Sequence, residues 1–354
     1  MTETKRFKIA VIPGDGIGLE VVPEGMRVLE VVGRHFGLAF EWTEFDWSCK
    51  FYQRFGRMMP EDGLEQLRHF DAIYLGAVGY PGVPDHVSLW GLLIPIRRGF
   101  QQYVNLRPAR LLKGVASPLI AKCAGEIDIA IVRENTEGEY SEIGGRKNTG
   151  TEEEMVLQES VFTRRGCDRI MRSAFELARR RRRHVTSATK SNGIIHSMPF
   201  WDERFAVIAA QYPDVTADQY HIDILSAHFV RSPERFDVVV ASNLFGDILS
   251  DLAASVVGSI GIAPAGNINP ERAFPSMFEP VHGSAPDIAG RGIANPIGQI
   301  WSGAMMLNHL GEAEAAATIE RAIETVLSGD GLRTPDLGGR GTTRELTDAV
   351  IAAF

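Results

Sequence analysis

Cysteine is scarce in this sequence. The 354 residues include three cysteines, Cys49, Cys123 and Cys167, and no two of them stand in a CxxC spacing. An odd number of widely separated cysteines argues against a disulfide framework and against a zinc ribbon. We therefore expect a protein of a reducing compartment, the cytoplasm.

Long apolar runs and an excess of basic charge are also missing. No apolar stretch is long enough to span a bilayer, and the N-terminal segment lacks the apolar core of a signal peptide. The chain has 37 Lys and Arg against 45 Asp and Glu, for a net charge of −8, whereas a general nucleic-acid binder needs a basic face. These absences predict no membrane segment and no nucleic-acid partner.

The chain does have strand-like and helix-like segments that alternate throughout its length. This alternation predicts an α/β protein with extensive parallel sheet. The length predicts two domains, and we expect them to be interleaved because no low-complexity linker separates them. The predicted strands are 8–12, 71–78, 127–132 and 236–242, and the predicted helices are 20–32, 163–183, 198–210, 244–257, 296–310 and 312–328.

One polar, glycine-rich segment interrupts the alternation. Residues 139–150 (EYSEIGGRKNTG) lack a helical period and lead into the strand-like run MVLQES. This pattern is typical of a projecting hairpin or arm.

The motif GDGIG at residues 14–18 lies between a strand and a helix. A phosphate can meet backbone N–H groups at such a helix start, but a tight turn that needs glycine explains the motif equally well. The Rossmann fingerprint is not met, because Leu19 stands where its third glycine belongs.

Asp247 and Asp251 stand four residues apart in NLFGDILSDLA, so both carboxylates share one helix face. Two like charges at this spacing repel each other, and a surface helix gains no stability from them. A divalent cation bound between the carboxylates would remove the repulsion. The alternative is a pair of solvated carboxylates.

Three arginines, Arg97, Arg107 and Arg133, have apolar or turn-forming neighbours. Arg133 follows a strand-like run directly, at the strand end where α/β proteins bind ligands. Because arginine binds carboxylates through two parallel hydrogen bonds, the set indicates an anionic substrate. Each arginine alone also fits a structural salt bridge.

Other residues carry more than one interpretation. Lys190, in TSATKSNG, is a candidate base, and Tyr140 is a candidate acid; the alternatives are a solvated lysine and a packing tyrosine. The five arginines of residues 179–183 suit the C-terminus of a helix better than a nucleic-acid surface in an acidic protein.

These segments, together with EPVHGSAPDIAGRGIANP at residues 279–296, resemble the β-decarboxylating dehydrogenases. The resemblance runs from IPGDGIG to IWSGAMML and implies a two-domain fold of the isopropylmalate-dehydrogenase type, with parallel and mixed sheets, not a Rossmann fold. It implies a cofactor-binding domain of residues 1–102 and 257–354. Residues 103–256 would form the substrate, metal and dimerisation domain, with a partner-clasping arm at about 139–160.

The resemblance also implies roles for individual residues. Arg97, Arg107 and Arg133 would hold the carboxylates of a small dicarboxylate substrate. Asp247 and Asp251 would bind Mn²⁺ or Mg²⁺, with Asp223 added from the other subunit of a homodimer. Lys190 of that subunit would take the proton of the C2 hydroxyl, and Tyr140 would protonate C3 after carbon dioxide leaves. K⁺ is a further candidate cofactor.

For the dinucleotide, the resemblance implies NAD. Asp287 would accept hydrogen bonds from the ribose and repel the 2′-phosphate of NADP. The remaining residues implied in cofactor binding are Gly76, Ala77, Val78, Asn192, His282, Gly283, Ser284, Ala285 and Asn295.

Substrate choice depends on residues 88–97 (SLWGLLIPIR). Gly91 and Leu93 replace the serine and asparagine with which isocitrate enzymes read a third carboxylate, and Trp90 replaces a glutamate of isopropylmalate enzymes. Trp90 and Leu93 are therefore expected to leave a short pocket, for a 2-hydroxydicarboxylate such as D-malate or tartrate; alternatively, Trp90 only packs. The rival functions are 3-isopropylmalate oxidation and a non-catalytic regulatory or RNA-associated subunit.

Overall fold

A computed structural model describes residues 4–119, 124–329 and 331–354 of the chain. Cys123 lies outside the described residues, and Cys49 and Cys167 are free, buried thiols. Helices cover both faces of a ten-stranded sheet, and a separate two-stranded hairpin stands apart from it. The predicted α/β class is confirmed.

The strands of the described residues occur throughout the chain. They are β1 (Lys5–Gly14), β2 (Leu38–Glu44), β3 (Ala72–Ala77), β4 (Val104–Arg110), β5 (Asp128–Glu134), β6 (Gly144–Lys147), β7 (Met155–Gln158), β8 (His184–Thr189), β9 (Thr216–His221), β10 (Val238–Ala241), β11 (Pro264–Ile268) and β12 (Ser276–Pro280).

The α-helices fall mainly between strands. They are α1 (Gly18–Phe36), α2 (Cys49–Phe55), α3 (Gly63–Leu67), α4 (Asp85–Ser88), α5 (Ile94–Gly99), α6 (Arg164–Arg179), α7 (Ser197–Ala209), α8 (Ile222–Arg231), α9 (Asn243–Val256), α10 (Ile297–Leu310), α11 (Ala313–Ser328) and α12 (Thr343–Ala352). A π-helical segment, Leu89–Leu93, leads directly into α5.

The large sheet is mixed. Its strand order is β2-β1-β3-β12-β11-β4-β5-β10-β8-β9. Pairing is parallel from β2 to β12 and from β5 to β9, whereas β11 and β4 run antiparallel to both of their neighbours. As a result, β1, β3 and β12 end at one edge of the sheet, while β5, β8 and β10 end at the opposite edge.

The hydrophobic core forms on both faces of the sheet, because successive side chains along a strand point to opposite faces. In β1, Ile9 and Val11 pack with α1 and α10, while Ala10 and Ile12 pack on the other face with α5. A further large cluster surrounds β5, β8 and β10 and includes the fully buried Trp201.

The predicted elements are confirmed except at one helix end. The hairpin β6–β7 forms where the arm was expected. The helix predicted over 163–183 ends at Arg179. Arg181 turns away to pair with Asp237 at 2.8 Å, and Arg182 binds the same carboxylate through its backbone N–H. Arg181 and Arg182 therefore hold the residue that directly precedes β10. The expectation that these two arginines serve the C-terminus of a helix was wrong.

The GDGIG turn is explained by backbone packing. A Cβ on Gly14 would lie 2.0 Å from the carbonyl oxygen of Ala77, and one on Gly16 would lie 2.0 Å from that of Ser284. The N–H groups of Asp15 and Ile17 already donate to these two carbonyls, at 2.7 and 2.9 Å. Of the two interpretations, these contacts support the tight turn.

Candidate active site

The register of the sheet brings the predicted arginines together. Arg133, near the end of β5, lies opposite Asn105 of β4. Arg107 is two residues further along β4, so its side chain shares the face of Asn105 and Arg133. The helix α9 lies against this face.

The first turns of α9 supply carboxylates to these arginines. Asp247 Oδ1 accepts hydrogen bonds from Arg133 Nη1 and, at 3.2 Å, from Arg107 Nη1. Asp251 lies one turn on, with its Oδ1 3.6 Å from Arg107 Nη1. Asn243, which no sequence pattern singled out, accepts hydrogen bonds at Oδ1 from Arg133 Nε at 3.1 Å and from Arg133 Nη2 at 2.7 Å.

Burial and neighbouring charges shift the pKa values of Asp247 and Asp251 in opposite directions. Burial acts to raise the pKa of Asp247, but the charges of Arg133 and Arg107 outweigh it and lower that pKa. Burial raises the pKa of Asp251; Arg107 opposes the shift and the charge of Asp247 adds to it. A cation near Asp251 would relieve both unfavourable effects.

Arg133 remains a cation despite its burial. Burial and the neighbouring charge of Arg107 lower the pKa of Arg133 to about 10, although Asp247 opposes the shift. This pKa leaves Arg133 protonated at neutral pH.

Tyr140 joins the same cluster. Its hydroxyl donates to Asp247 Oδ2 at 2.8 Å, and its ring lies 5.5 Å from the Arg133 guanidinium. Burial and the charge of Asp247 raise the pKa of Tyr140, so the phenol stays protonated and can serve as a proton donor.

Arg97 approaches from α5 and is fixed by Glu279, a residue for which the sequence pattern predicted no role. Arg97 Nη2 lies 2.8 Å from Glu279 Oε1, which also accepts from Asn267 Nδ2 at 2.7 Å. The buried Nε atoms of Arg97 and Arg107 have no hydrogen-bond partner. The site therefore keeps donors available for an anion.

Lys190 and Asp223 form a second group. Lys190 Nζ lies 2.8 Å from Asp223 Oδ1, just beyond the ends of β8 and β9. The hydrogen bond from Lys190 lowers the pKa of Asp223. Within the described residues, no three His, Cys, Asp or Glu side chains cluster closely enough to hold a metal ion. One chain thus presents the expected ligands as two separate groups.

The candidate cofactor residues lie mostly at the sheet edge where β1, β3 and β12 end. A Cβ on Gly76 would lie 2.4 Å from the carbonyl oxygen of Pro13. His282 follows β12, and burial lowers its pKa, which favours a neutral ring. Its buried Nε2 has no partner, and a Cβ on Gly283 would meet only open space. This edge therefore offers an unused polar atom beside open backbone.

The other cofactor candidates differ in their surroundings. Asp287 is exposed, as a carboxylate that reads a bound ribose must be before binding. Asn295 is buried and its side chain donates to Asp336 at 3.0 Å. Asn192 is exposed in the loop after β8, on the side of Lys190, so it lies apart from the other residues of this set.

Trp90 lies in the π-helical segment, with the Arg98 guanidinium 5.0 Å from its ring. Arg98 also donates to the carbonyl oxygens of Thr136, at 3.2 Å, and of Tyr140. Leu93 packs on the cluster around α5. No local sequence pattern reveals that Arg98 connects Trp90 to the backbone of Tyr140.

Among the residues that the structure describes, no helix has the length and hydropathy required to cross a membrane.

Comparison with known proteins gives consistent matches over nearly the whole chain. The family model described as isocitrate/isopropylmalate dehydrogenase matches residues 8–350. The chain is 60% identical over 354 residues to D-malate dehydrogenase [decarboxylating] of Escherichia coli (strain K12), with 98% of each chain covered. It is 59% identical over 353 residues to tartrate dehydrogenase/decarboxylase of Pseudomonas putida, with 97% of this chain and 96% of that protein covered.

A solved structure also matches nearly the whole chain in its fold. The crystal structure of isocitrate dehydrogenase from Methylococcus capsulatus matches with a TM-score of 0.89 and 36% sequence identity. The match covers 98% of this chain and 99% of that chain.

Proposed function

Because this chain belongs to the isocitrate/isopropylmalate dehydrogenase family, we propose that it oxidises D-malate and tartrate with NAD and a divalent metal, and converts D-malate to pyruvate and carbon dioxide. The chain is an oxidoreductase, and enzymes of this family use NAD and a divalent metal. The identity of 60% to a D-malate dehydrogenase over nearly the full length carries the choice of substrate.

The three arginines are assigned to the carboxylates of the substrate. This assignment is supported by the buried Nε donors of Arg97 and Arg107, which have no partner in the protein. A bound carboxylate would satisfy such donors, and leaving each of them buried without an acceptor costs about 1–3 kcal/mol.

Asp247 and Asp251 of one subunit and Asp223 of its partner are assigned to the metal. Carboxylate oxygens suit Mn²⁺ and Mg²⁺, and the raised pKa of Asp251, caused by burial and the charge of Asp247, indicates a place that favours a cation. When bound, such a cation supplies a Lewis acid that stabilises negative charge on substrate oxygens. K⁺ remains a further candidate.

We assign a homodimer because it would bring the arginine cluster with Asp247 and Asp251 together with Lys190 and Asp223 of the partner. Apolar side chains are exposed on α8 and α9, including Ile224, Val230 and Ile248, and on the hairpin, including Val156 and Leu157. Exposed apolar side chains grouped on neighbouring elements are typical of a subunit interface. Lys190, Asp223 and Asn192 would then complete the partner's site.

The protein side chains divide the proton transfers between them. Lys190, when neutral, accepts the proton of the substrate C2 hydroxyl, and its contact with Asp223 holds the amine in place. Tyr140 donates its hydroxyl proton to C3 after carbon dioxide leaves. We further assign residues 1–102 and 257–354 to a cofactor domain and residues 103–256 to a substrate domain. The buried residues of the cluster around β5, β8 and β10 all come from the second domain except Val257, and those of the cluster around α1 and α10 all come from the first except Leu112.

Arg98 is expected to position Tyr140. Arg98→Met should lower kcat about tenfold, because two hydrogen bonds from a charged group to backbone carbonyls are lost. The KM for NAD should stay unchanged. Steady-state kinetics with D-malate checks this. Arg68→Met is the matched control, since Arg68 also lies over an aromatic ring, at 5.1 Å from Phe274. An unchanged kcat in Arg98→Met would contradict the positioning role.

Asp287 is expected to make the enzyme prefer NAD over NADP. Repulsion of the 2′-phosphate and lost hydrogen bonds amount to ~2–4 kcal/mol, roughly 30- to 1,000-fold in kcat/KM. Asp287→Asn should reduce this preference, whereas Glu314→Gln, which removes the same charge from an exposed position on α11, should leave it intact. Equal use of both cofactors by the unaltered enzyme would refute the assignment.

The choice of substrate is tested by a ranking. We expect kcat/KM for D-malate or a tartrate isomer to exceed that for 3-isopropylmalate, with isocitrate last, because Gly91 and Leu93 provide no partner for a third carboxylate. NADH production is measured with all substrates side by side. Some activity on 3-isopropylmalate is compatible with the proposal, since apolar pockets discriminate by only ~1–3 kcal/mol per methylene. If 3-isopropylmalate ranks first, the short-pocket argument fails.

A further inference from the structure

A cavity of about 320 Å³ opens beside the start of α6. It lies between α6, the residues before β4 and the loop between β11 and β12. This is the sheet edge opposite to the one where β1, β3 and β12 end. None of the arginines and carboxylates assigned to the active site lines it.

Three arginines of α6 point into this cavity. Arg165, Arg169 and Arg172 are spaced by four and three residues and so share one helix face. The side-chain contact of Arg165 is with the neutral Gln101 Oε1, at 3.3 Å. In the part of the chain that the structure describes, Arg165 has no carboxylate within salt-bridge distance.

The acids near these arginines are already engaged. Asp168 is held by Arg204 through two hydrogen bonds of 2.7 and 3.1 Å, so Arg172 reaches it only at 3.6 Å. Glu271 accepts the hydroxyl hydrogen of Tyr103 at 2.8 Å. The lining of the cavity has three arginines against two carboxylates, Asp168 and Glu271, so it keeps a net positive charge.

Arg169 forms the inner wall. Its guanidinium lies 4.2 Å from the centre of the Tyr103 ring, and its nearest carboxylate, Glu134, is 3.6 Å away. The Nε of Arg169 is buried and has no hydrogen-bond partner. This unpaired donor is a second observation, independent of the charge of the lining.

We propose that this cavity binds a small multivalent oxyanion, a polycarboxylate or a phosphate compound. Arginine recognises both groups by paired hydrogen bonds, and the volume is that of a small-metabolite site. The cavity also connects with the active site. Arg169 donates to Thr136 Oγ1 at 2.6 Å, and the carbonyl of Thr136 accepts from Arg98, which holds Tyr140. Binding is thus expected to change turnover.

The site is tested by titrating the intact enzyme, freed of metal on a chelating resin, with citrate and with pyrophosphate at constant ionic strength. Isothermal titration calorimetry should show that R165Q/R172Q binds at least one probe ten or more times more weakly than wild type. Both residues are exposed, so the variant should fold. The control R164Q/R180Q removes the same charge from the first residue of α6 and from the residue directly after the helix, both outside the cavity, and should bind as wild type does.

The variants separate this site from the active site. Binding to the active-site arginines would be equal in all three proteins, so a loss confined to R165Q/R172Q supports the cavity. The two probes distinguish a polycarboxylate ligand from a phosphate ligand. Absence of saturable binding by both probes, or equal weakening in both double variants, overturns the proposal. The binding result does not depend on the proposed substrate; only an effect of the probe on turnover does.

Discussion

Lys190→Ala and Asp251→Asn dimers are each expected to be almost inactive, and mixing them should restore activity to about a quarter of the wild-type value. The reason is the separation of the two residue groups. If each site combines Asp251 of one subunit with Lys190 of the other, a mixed dimer has one site with both substitutions and one intact site. Random exchange makes half of the dimers mixed, so about one site in four is intact.

Asp251 suits this test better than Asp247. The side chain of Asp251 is 58% exposed and its ion pair with Arg107 is long, at 3.6 Å, so the substitution leaves no buried arginine without its main partner. NADH production is measured after subunit exchange, with mixed dimers verified by native mass spectrometry.

A second mixture provides the matched control. Lys190 and Asp223 contact each other and should serve the same site. A mixture of Lys190→Ala and Asp223→Asn dimers should therefore stay inactive, because every site receives one substitution. Recovery in this control, or no recovery in the first mixture with mixed dimers present, would mean that the sites are not shared as proposed.

Removal of divalent metal is expected to abolish turnover, and Mn²⁺ or Mg²⁺ should restore it. Asp247 and Asp251 lie on one helix face beside buried arginines, and without a cation the partial burial of Asp251 and the charge of Asp247 disfavour the ionised form of Asp251. Asp251→Asn should also weaken Mn²⁺ binding at least tenfold, measured by electron paramagnetic resonance of free Mn²⁺. This measurement is independent of turnover.

The exposed Asp348 of α12 offers a control. Asp348→Asn removes a carboxylate paired with Arg27 and Arg344, far along the chain from the candidate metal ligands, and should bind Mn²⁺ as wild type does. Full turnover in the presence of chelator would refute the metal assignment. Unchanged Mn²⁺ affinity in Asp251→Asn would remove this residue from the ligand set.

The sequence by itself determined the local structure. The apolar period around Asp247 and Asp251 predicted a helix with both carboxylates on one face, and α9 has this form. The polar, glycine-rich segment predicted a hairpin, which β6 and β7 form. These features depend on neighbours a few residues apart, whose side-chain directions are set by the helix or strand period.

Only the tertiary structure decided which distant residues meet. Arg97 contacts Glu279 across 182 positions of the chain, and Arg133 lies opposite Asn105 because of the antiparallel register of β4 and β5. The end of α6 was likewise set by Asp237, 56 positions from Arg181. Such contacts result from strand order and packing, and residue spacing carries no signal for them. The 2.8 Å contact between Lys190 and Asp223, 33 positions apart, is a further example.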